Sequence, residues 1–157
     1  MKLIAHRGNL DGPNVEKENH PEYCRDAIRS GFDVEIDVWY VDNTLYTGHD
    51  RPVYGPVRYD FFLNENIWIH AKNGDAFNLF LKDVDVNVFW HTTEDWILTS
   101  RGYIWTYPNK TLYSNSVCVM PELGWTGNML DCHAICTDYV KKFQTEINGQ
   151  KNKAMVQ

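Results

Sequence analysis

The sequence has no long run of hydrophobic residues among its 157 positions. Near the amino terminus the apolar stretch at 3–5 is too short for a secretory signal peptide and ends at a histidine. A membrane-spanning helix needs about 20 consecutive apolar residues. We therefore expect a cytoplasmic protein with no integral membrane segment.

Positive charge is also scarce, because 15 Lys and Arg residues face 21 Asp and Glu residues, for a formal net charge of −6. Proteins that bind nucleic acids usually carry a basic surface that contacts the phosphates. We therefore expect no nucleic-acid partner. An acidic chain can still bind a single anion through an Arg, a Lys or a metal ion.

Cysteine is limited to Cys24, Cys118, Cys132 and Cys136, and no CxxC pair is present. Disulfide scaffolds and zinc sites commonly place cysteines in closely spaced pairs. Cys118 and Cys136 lie instead in apolar, strand-like runs. We expect buried free thiols and a reducing environment.

Aromatic and β-branched residues are abundant and occur in short runs that are typical of strands. Aromatic residues make up 14% and hydrophobic residues 43% of the chain, which is ample for one folded core. Runs rich in Val, Ile, Trp and Tyr, bounded by Gly, Asn, Asp or Pro, predict strands. The predicted strands are 2–6, 33–40, 67–72, 86–91, 103–107, 117–121 and 134–138.

Helical patterns at 20–31 and 74–83, and a shorter one at 92–99, fall between these strands. The alternation predicts an α/β fold with a parallel sheet. We expect a compact (β/α)8 TIM-type barrel with shortened or missing crossover helices, because such barrels usually need about 250 residues. A single barrel domain is expected over 1–141, followed by a flexible polar tail at 142–157.

Charged and histidine side chains recur near the ends of the predicted strands. His6 and Arg7 end the first strand, and Glu35 and Asp37 lie two residues apart in the second. Residues two apart on a strand face the same side of the sheet. We therefore expect Glu35 and Asp37 to point in one direction.

The later strands repeat this pattern. His70 and Lys72 lie two apart in the third strand, His91 ends the fourth, and Glu122 ends a late strand. In a barrel the carboxyl ends of the strands meet at one mouth. Charged groups of both signs would meet there, which is costly in a core and useful in a site.

These residue types suit phosphodiester chemistry. Paired carboxylates with a nearby oxygen or nitrogen ligand can hold a divalent cation. Arg7 and Lys72 can contact phosphate oxygens. His6 and His49 can act as general acid and base, because imidazole titrates near neutral pH.

Three motifs make the chain resemble the glycerophosphodiester phosphodiesterase family, within the phosphatidylinositol-phospholipase-C-like phosphodiesterase superfamily. They are IAHRGN at 4–9, ENHPEYCRDAIRSGFDVEIDV at 18–38 and LYTGHD at 45–50. The family pattern is His-Arg-Gly, then Glu-Asn-Thr with a helix, a Glu-x-Asp strand and His-Asp, in this order. Here His20 stands where the family usually has Thr. The chain is thereby identified as a compact member.

The resemblance implies the catalytic roles. His6 and His49 would be the acid–base pair, and Arg7 and Lys72 would bind the phosphate of a small-molecule phosphodiester. A neighbouring hydroxyl of the substrate would attack phosphorus, and a cyclic phosphate could form and then hydrolyse. The metal and the cations would stabilise charge on the phosphoryl oxygens.

The resemblance also implies a metal site and its support. Glu35 and Asp37 would be ligands of a divalent ion, which the family suggests is Mg²⁺ or Ca²⁺. Glu18 and Asn19 match a motif that holds the site together.

His70 departs from the family, which usually has a Glu two residues before the strand-three Lys. A neutral imidazole suits Mn²⁺ or Zn²⁺ better than Mg²⁺ or Ca²⁺. Three alternatives therefore stay open: a different metal, Glu122 as a substitute ligand, or no metal.

His91 and Trp125 are further candidates. His91 can line the pocket or cap a helix through Thr92 or Thr93, and neither alternative is favoured. Trp125 lies in the Gly-flanked loop PELGWTGN, so we expect its ring to face the substrate.

The leading prediction is a phosphoric diester hydrolase that acts on glycerophosphodiesters or similar hydroxyl-bearing phosphodiesters. One alternative is a lyase-type, phospholipase D-like enzyme that gives a cyclic phosphate. The other is a non-catalytic module that binds a phosphorylated ligand, which His70 and the short chain favour. The presence of both His6 and His49 argues for an enzyme, because a binding module needs no acid–base pair.

Overall fold

The computed structural model describes residues 1–126, 128–129 and 131–155 of the chain. Its strands and helices confirm each of the seven predicted strands, which are β1, β2, β5, β6, β8, β9 and β10. The strands are β1 Lys2–His6, β2 Asp33–Val41, β3 Thr44–Thr47, β4 Tyr54–Val57, β5 Ile67–Ala71, β6 Asn87–Phe89, β7 Trp96–Leu98, β8 Ile104–Thr106, β9 Ser116–Val119 and β10 Ala134–Thr137. The α-helices are α1 Pro21–Arg29, α2 Gly74–Phe80 and α3 Val140–Met155, with short 3-10 helices at Tyr59–Leu63 and Pro121–Leu123.

The strands form one curled sheet. Eight of them follow in the order β6–β5–β2–β1–β10–β9–β8–β7. Each neighbouring pair is parallel except β7 and β8, which are antiparallel. The hairpin of β3 and β4 continues antiparallel from the carboxyl-terminal half of β2.

The predicted (β/α)8 barrel is wrong, because the sheet is an open half-barrel. Among the described residues there are only three α-helices, so helices do not alternate with strands. Strand pairing within the same residues does not join β6 to β7. The short chain accounts for the difference, since connections such as 107–115, between β8 and β9, are turns and loop rather than helix.

Ser100 takes the place of a partner strand on the outer edge of β6. Its backbone N–H donates to the Val88 carbonyl at 2.8 Å, and its Oγ accepts from Val88 N at 2.9 Å. The same Oγ donates to the Val86 carbonyl at 3.1 Å. One residue therefore satisfies backbone groups of β6 that a neighbouring strand would bind in a closed barrel.

Residues 92–99 were predicted as a helix but contain β7. Trp96 and Leu98 are exposed while Ile97 between them is buried, which is the two-residue alternation of a strand. Ile97 pairs with Trp105 of β8. The apolar residues are thus used in a hairpin rather than on one face of a helix.

The tail predicted to be flexible from residue 142 is helical as far as Met155. Val140 and Phe143 are buried and Ile147 is partly buried, at the spacing of one helix face. The latter two pack with Cys118 and Ile135 on the convex side of the sheet. Residues 156–157, the rest of this tail, lie outside the described residues.

Alternation along β2 separates the core from the interior of the curl. Val34, Ile36 and Val38 point outward into a core that includes residues of α1 and α2. The alternate residues Asp33, Glu35 and Asp37 are also buried. Because side chains two apart share a face, these three carboxylates point into the concave side.

The concave side is filled at its centre by large apolar side chains from several strands. Ile4, Trp68, Phe89 and Trp105 belong to one buried cluster with residues of β9 and β10. The four cysteines are buried free thiols, as predicted. No helix in the described ranges is both long and apolar enough to cross a bilayer.

Asp33 closes the amino-terminal end of this interior. It accepts hydrogen bonds from Lys2 Nζ at 2.8 Å, Asn66 Nδ2 at 2.8 Å and Trp68 Nε1 at 2.9 Å. The Trp68 bond is buried, so its donor has no access to water if the carboxylate is lost.

Replacing Asp33 with Ala is expected to lower the free energy of unfolding by about 1–3 kcal/mol, because the Trp68 N–H stays buried without an acceptor. Lys2→Met removes only the partly exposed partner and should cost no more than about 1 kcal/mol. Urea denaturation of both variants measures the difference. Equal losses would contradict the role given to the buried bond.

Candidate active site

The carboxyl-terminal ends of the strands surround a cavity of about 410 Å³. Its walls come from β1, β2, β5, β8 and β9 and from the loops that follow β3, β6 and β8. Charged and histidine side chains predicted from the sequence meet here as expected. The cavity is lined by His6, Arg7, Glu35, His49, His70, Lys72, His91, Thr92, Trp105, Tyr107, Val119 and Met120.

The turn after β1 depends on Arg7 and Gly8, which both have positive φ angles, of 54° and 89°. A Cβ on Gly8 would lie 2.9 Å from Tyr23 Cδ1, so the turn has room only for glycine. The backbone N–H of Arg7 donates to Glu35 Oε2 at 3.2 Å. The glycine of the His-Arg-Gly motif therefore serves to bring the end of β1 over the end of β2.

Gly48 has the same function in the Gly-His-Asp motif. Its φ is 146°, and a Cβ there would lie 2.3 Å from the carbonyl oxygen of Arg51. Its N–H donates to the Asp37 carbonyl at 3.1 Å. This close approach fixes His49 beside the end of β2.

Asn19 holds the Asp37 side of the site. Its Nδ2 donates to Asp37 Oδ2 at 2.9 Å, and Asp37 N donates to Asn19 Oδ1 at 2.8 Å. Thr47 Oγ1 donates to the Asn19 carbonyl at 2.6 Å. Asn19 has a φ of 64°, a left-handed conformation that Asn tolerates better than most residues.

Asp37 is 1% exposed and is surrounded by cationic groups and imidazoles. Arg7 Nε and His49 Nδ1 each lie 3.2 Å from its Oδ2. His70 Nδ1 lies 2.9 Å and Lys72 Nζ 3.3 Å from its Oδ1. Burial alone would raise the pKa of Asp37, but hydrogen bonding to His49 and His70 holds it well below the ordinary value.

Glu35, Asp37 and His70 form a buried group that can hold a metal ion, because one ligand atom from each lies within 4.8 Å of the others. Asp37 Oδ1 is buried between His70 Nδ1, at 2.9 Å, and Lys72 Nζ, at 3.3 Å, and it would exchange the lysine contact for a bound ion. His70 Nδ1 faces both carboxylates, at 2.9 Å from Asp37 Oδ1 and 3.7 Å from Glu35 Oε1. Two carboxylates and an imidazole are a suitable donor set for a divalent ion.

Glu122, the other predicted ligand, does not join this group. Its Oε1 accepts from the backbone N–H of Asp138 at 2.9 Å, from a short 3-10 helix after β9. That bond ties the loop after β9 to the end of β10. His70 rather than Glu122 is therefore the third member of the candidate metal group.

His6 is oriented by Asp138, which sequence reasoning did not identify. His6 Nδ1 lies 2.9 Å from Asp138 Oδ1, which leaves Nε2 on the Glu35 side, 3.9 Å from Glu35 Oε2. Burial would lower the pKa of His6, but the hydrogen bond to Asp138 and the charge of Glu35 raise it above its ordinary value. Because a carboxylate only accepts hydrogen bonds, Nδ1 carries a proton.

Asn9 connects this pair to the rest of the site. Its Nδ2 donates to Asp138 Oδ1 at 2.8 Å and to Glu18 Oε1 at 2.9 Å. Glu18 Oε2 in turn accepts from Arg7 Nη1 at 3.1 Å. Glu18 and Asn19, which the family resemblance implies are supports, therefore both contact groups of the candidate site, and so does Asn9.

His49 contacts Arg7 directly, with 2.8 Å between Arg7 Nη2 and His49 Nδ1. A guanidinium group only donates and a carboxylate only accepts hydrogen bonds, so His49 Nδ1 can accept from Arg7 or donate to Asp37 Oδ2, 3.2 Å away, but not both at once. Lys72 Nζ lies 3.4 Å from the same atom. The predicted acid–base residue and both predicted phosphate-binding cations are therefore adjacent.

His91 lines the cavity and does not cap a helix. Its ring stacks on that of His70, with centroids 4.5 Å apart, and its Nε2 lies 2.9 Å from the Tyr107 hydroxyl. Burial, with the charges of His70 and Lys72, lowers the pKa of His91 to about 4. The ring is therefore neutral at physiological pH.

Trp125 lies elsewhere. It packs against the cluster of Cys118, Cys132 and Phe143 beneath α3, on the convex side of the sheet. The aromatic residues of the cavity are instead Trp105 of β8 and Tyr107 just after it. Tyr107 and Asp138 end the predicted strands 103–107 and 134–138, so their position at a strand end was visible in the sequence.

Comparison with protein families, curated proteins and solved structures found no match to this chain.

Proposed function

We propose that the chain is a metal-assisted phosphodiester hydrolase that acts on glycerophosphodiesters or similar hydroxyl-bearing phosphodiesters. The main observation that supports this proposal is that His6 and His49 line one cavity with Arg7 and Lys72. The ordered His-Arg-Gly, Glu-x-Asp and Gly-His-Asp motifs, which resemble glycerophosphodiester phosphodiesterases, all end at this cavity.

Arg7 and Lys72 are the groups that would bind the substrate phosphate. Both contact Asp37 in the free protein, Arg7 at 3.2 Å and Lys72 at 3.3 Å. A phosphate at the mouth of the cavity would share these cations with the carboxylate. Their charge would stabilise the oxygens of the phosphoryl group as negative charge develops on them.

Glu35, Asp37 and His70 would hold the metal, and the nitrogen ligand favours Mn²⁺ or Zn²⁺. When bound, such an ion supplies positive charge to a phosphoryl oxygen. The His70 ring stacks on both Phe89 and His91, at centroid distances of 5.0 and 4.5 Å, and these contacts fix the plane of the ligating ring. The hydrogen bond from Asn19 Nδ2 fixes the orientation of the Asp37 carboxylate.

In the first step the hydroxyl oxygen of the substrate attacks phosphorus, and one histidine takes the hydroxyl proton. The bond from phosphorus to the leaving alcohol breaks, and its electron pair goes to the alcohol oxygen. The other histidine gives that oxygen a proton. The products are the free alcohol and a cyclic phosphodiester.

In the second step water attacks the phosphorus of the cyclic ester and loses its proton to a histidine. The ring P–O bond breaks, and its oxygen takes a proton from the other histidine. The product is a phosphomonoester. The histidine that was the base in the first step is the acid in the second, so the two steps together return His6 and His49 to their starting states.

Phosphorus NMR with a panel of glycerophosphodiesters and lysophospholipids tests this function. The purified protein with Mn²⁺, Mg²⁺ or Zn²⁺ should produce a phosphomonoester signal that disappears with chelator. A cyclic phosphate that accumulates would identify a lyase instead. Phosphate binding without turnover under every metal would identify a binding module.

His49→Asn is expected to lower the rate of turnover at least about 100-fold, because it removes one of the two proton-transfer groups. His20→Asn is a matched control, since His20 caps α1 by accepting from Glu22 N, a function that Asn performs well. It should keep full activity. A fully active, folded His49→Asn variant would overturn the proposal.

Lys72→Met is expected to tighten binding of Mn²⁺ about tenfold, because the lysine ammonium competes with the metal for Asp37 Oδ1. Isothermal titration calorimetry of the apoprotein measures this without catalysis. Lys82→Met, a change to an exposed lysine after α2, is the control and should leave the affinity unchanged.

Asp37→Asn should remove Mn²⁺ binding in the same calorimetric experiment, because a neutral amide replaces the shared carboxylate. Unchanged or weaker Mn²⁺ binding by Lys72→Met would show that the lysine does not compete with the ion. Retained binding by Asp37→Asn would place the metal elsewhere.

A further inference from the structure

The walls of the cavity divide by strand into two kinds of surface. Glu35 of β2 and His70 of β5 stand with the cations on one side. Trp105 of β8, Val119 of β9 and Met120, the residue after it, form the other side. We call the second surface, together with Tyr107, the apolar wall. The proposed chemistry uses the charged side and leaves the apolar wall without a role.

The apolar wall is firmly held in place. Trp105 is 3% and Val119 is 4% exposed, so both are part of the packed interior as well as the cavity surface. The Trp105 ring stacks on Phe89 with centroids 4.4 Å apart. Such a surface does not rearrange easily to offer polar groups to a ligand.

Polar atoms at the edge of this wall are already engaged within the protein. The Tyr107 hydroxyl bonds to His91, and Thr92 donates from both N, at 2.8 Å, and Oγ1, at 3.3 Å, to Glu94. The N–H of Met120 donates to the Cys136 carbonyl at 2.8 Å. A hydroxyl-rich group placed here would lose water without gaining equivalent hydrogen bonds.

The geometry of phosphoryl transfer decides which part of the substrate meets this wall. The attacking and leaving oxygens lie roughly in line on opposite sides of phosphorus. The attacking hydroxyl needs a base, and His49, beside Arg7 and Lys72, stands on the charged side. The leaving alcohol then faces the apolar wall.

The strand order agrees with this orientation. His6 ends β1, which only β10 separates from β9 of the apolar wall, whereas His49 follows β3 on the other side of β2. His6 is therefore the histidine closer in the sheet to the leaving oxygen. It would donate the proton that the departing alcohol takes.

We propose that the apolar wall selects phosphodiesters whose leaving alcohol is compact and apolar, such as a short alkyl alcohol, over those that release a polyol. This inference rests on the proposed function and specifies its substrate class. An alkyl group would bury apolar surface against Trp105, Val119 and Met120. A polyol of similar size would leave its hydroxyls unpaired.

Competition between two glycerol phosphodiesters tests the inference. One releases n-butanol and the other releases glycerol, and phosphorus NMR follows both in one tube with Mn²⁺. The value of kcat/KM should favour the butyl ester by about tenfold or more. Equal rates or a preference for the glycerol ester would overturn the inference.

Val119→Thr tests whether the wall sets this preference. The substitution keeps the shape of the side chain and adds a hydroxyl to the cavity surface, so the preference for butanol should fall several-fold. Val117→Thr is the matched control, because Val117 lies on the same face of β9 in the buried cluster but does not line the cavity. Thermal unfolding of both variants confirms that they are folded.

If Val117→Thr changes the preference as much as Val119→Thr, or if neither changes it, the wall does not determine specificity. The inference requires that Val119→Thr lower the preference for the butyl ester more than Val117→Thr does. Both substitutions place a hydroxyl in an apolar strand, so a general loss of packing would affect them alike.

A binding measurement keeps the inference testable if no ester is turned over. Dibutyl phosphate and bis(2-methoxyethyl) phosphate have the same length and charge, and neither carries an attacking hydroxyl. Calorimetry with Mn²⁺ should show about tenfold tighter binding of dibutyl phosphate. Tighter dibutyl binding without any turnover would reject the hydrolase and keep the apolar subsite, while equal affinities would reject the subsite.

Discussion

Burial of the Asp37 carboxylate is the constraint on which the rest of the site depends. A charge that is 1% exposed is tolerable only when it is paired and hydrogen-bonded. Its partners come from separate parts of the chain: the turn after β1, the loop before α1, the loop after β3 and the end of β5. Two of these turns require glycine, because the backbone passes close to Tyr23 at Gly8 and to the Arg51 carbonyl at Gly48. The same contacts therefore hold these loops in place and build the site.

The alternation of β2 explains how so small a protein holds a core and a charged cavity together. Val34, Ile36 and Val38 of this strand pack under α1 and α2. The carboxylates that alternate with them point into the concave side of the sheet; they belong to Asp33, Glu35 and Asp37. The same two-residue period places Trp105 and Val119 on the inner face of the opposite strands. Core and site are thus two faces of one sheet, without a separate binding domain.

Local patterns in the sequence predicted strands well because each is a short β-branched or aromatic run between turn residues. They also predicted that His6, Arg7, Glu35, Asp37, His70, Lys72, His91 and Glu122 would meet, since the carboxyl ends of barrel strands converge, and all but Glu122 do. His49 was added by its chemistry and by the family resemblance rather than by its place on a strand. Closure of the sheet was not predictable in this way. It depends on whether β6 and β7 pair, which is decided by loop lengths and tertiary contacts rather than by local propensity.

The roles of Trp125 and Asp138 show the same limit. A tryptophan in a Gly-flanked loop can face either side of a sheet, and here it packs beneath α3, where a helix needed an apolar surface. Asp138 is the last residue of the predicted strand 134–138 and was overlooked, although the rule that selected His91 applied to it. Its partner, His6, is 132 residues away in sequence, so only the tertiary fold identifies the pair.

The bonds that Ser100 makes to β6 also affect how one molecule meets another. The free edge of a sheet presents unpaired N–H and C=O groups to which a strand from another chain can add, a common route to aggregation. In β6 both backbone groups of Val88 are already bonded to Ser100, in part through a side chain that a foreign strand cannot imitate. The outer edge of β6 therefore presents no unpaired Val88 backbone group to which such a strand could add.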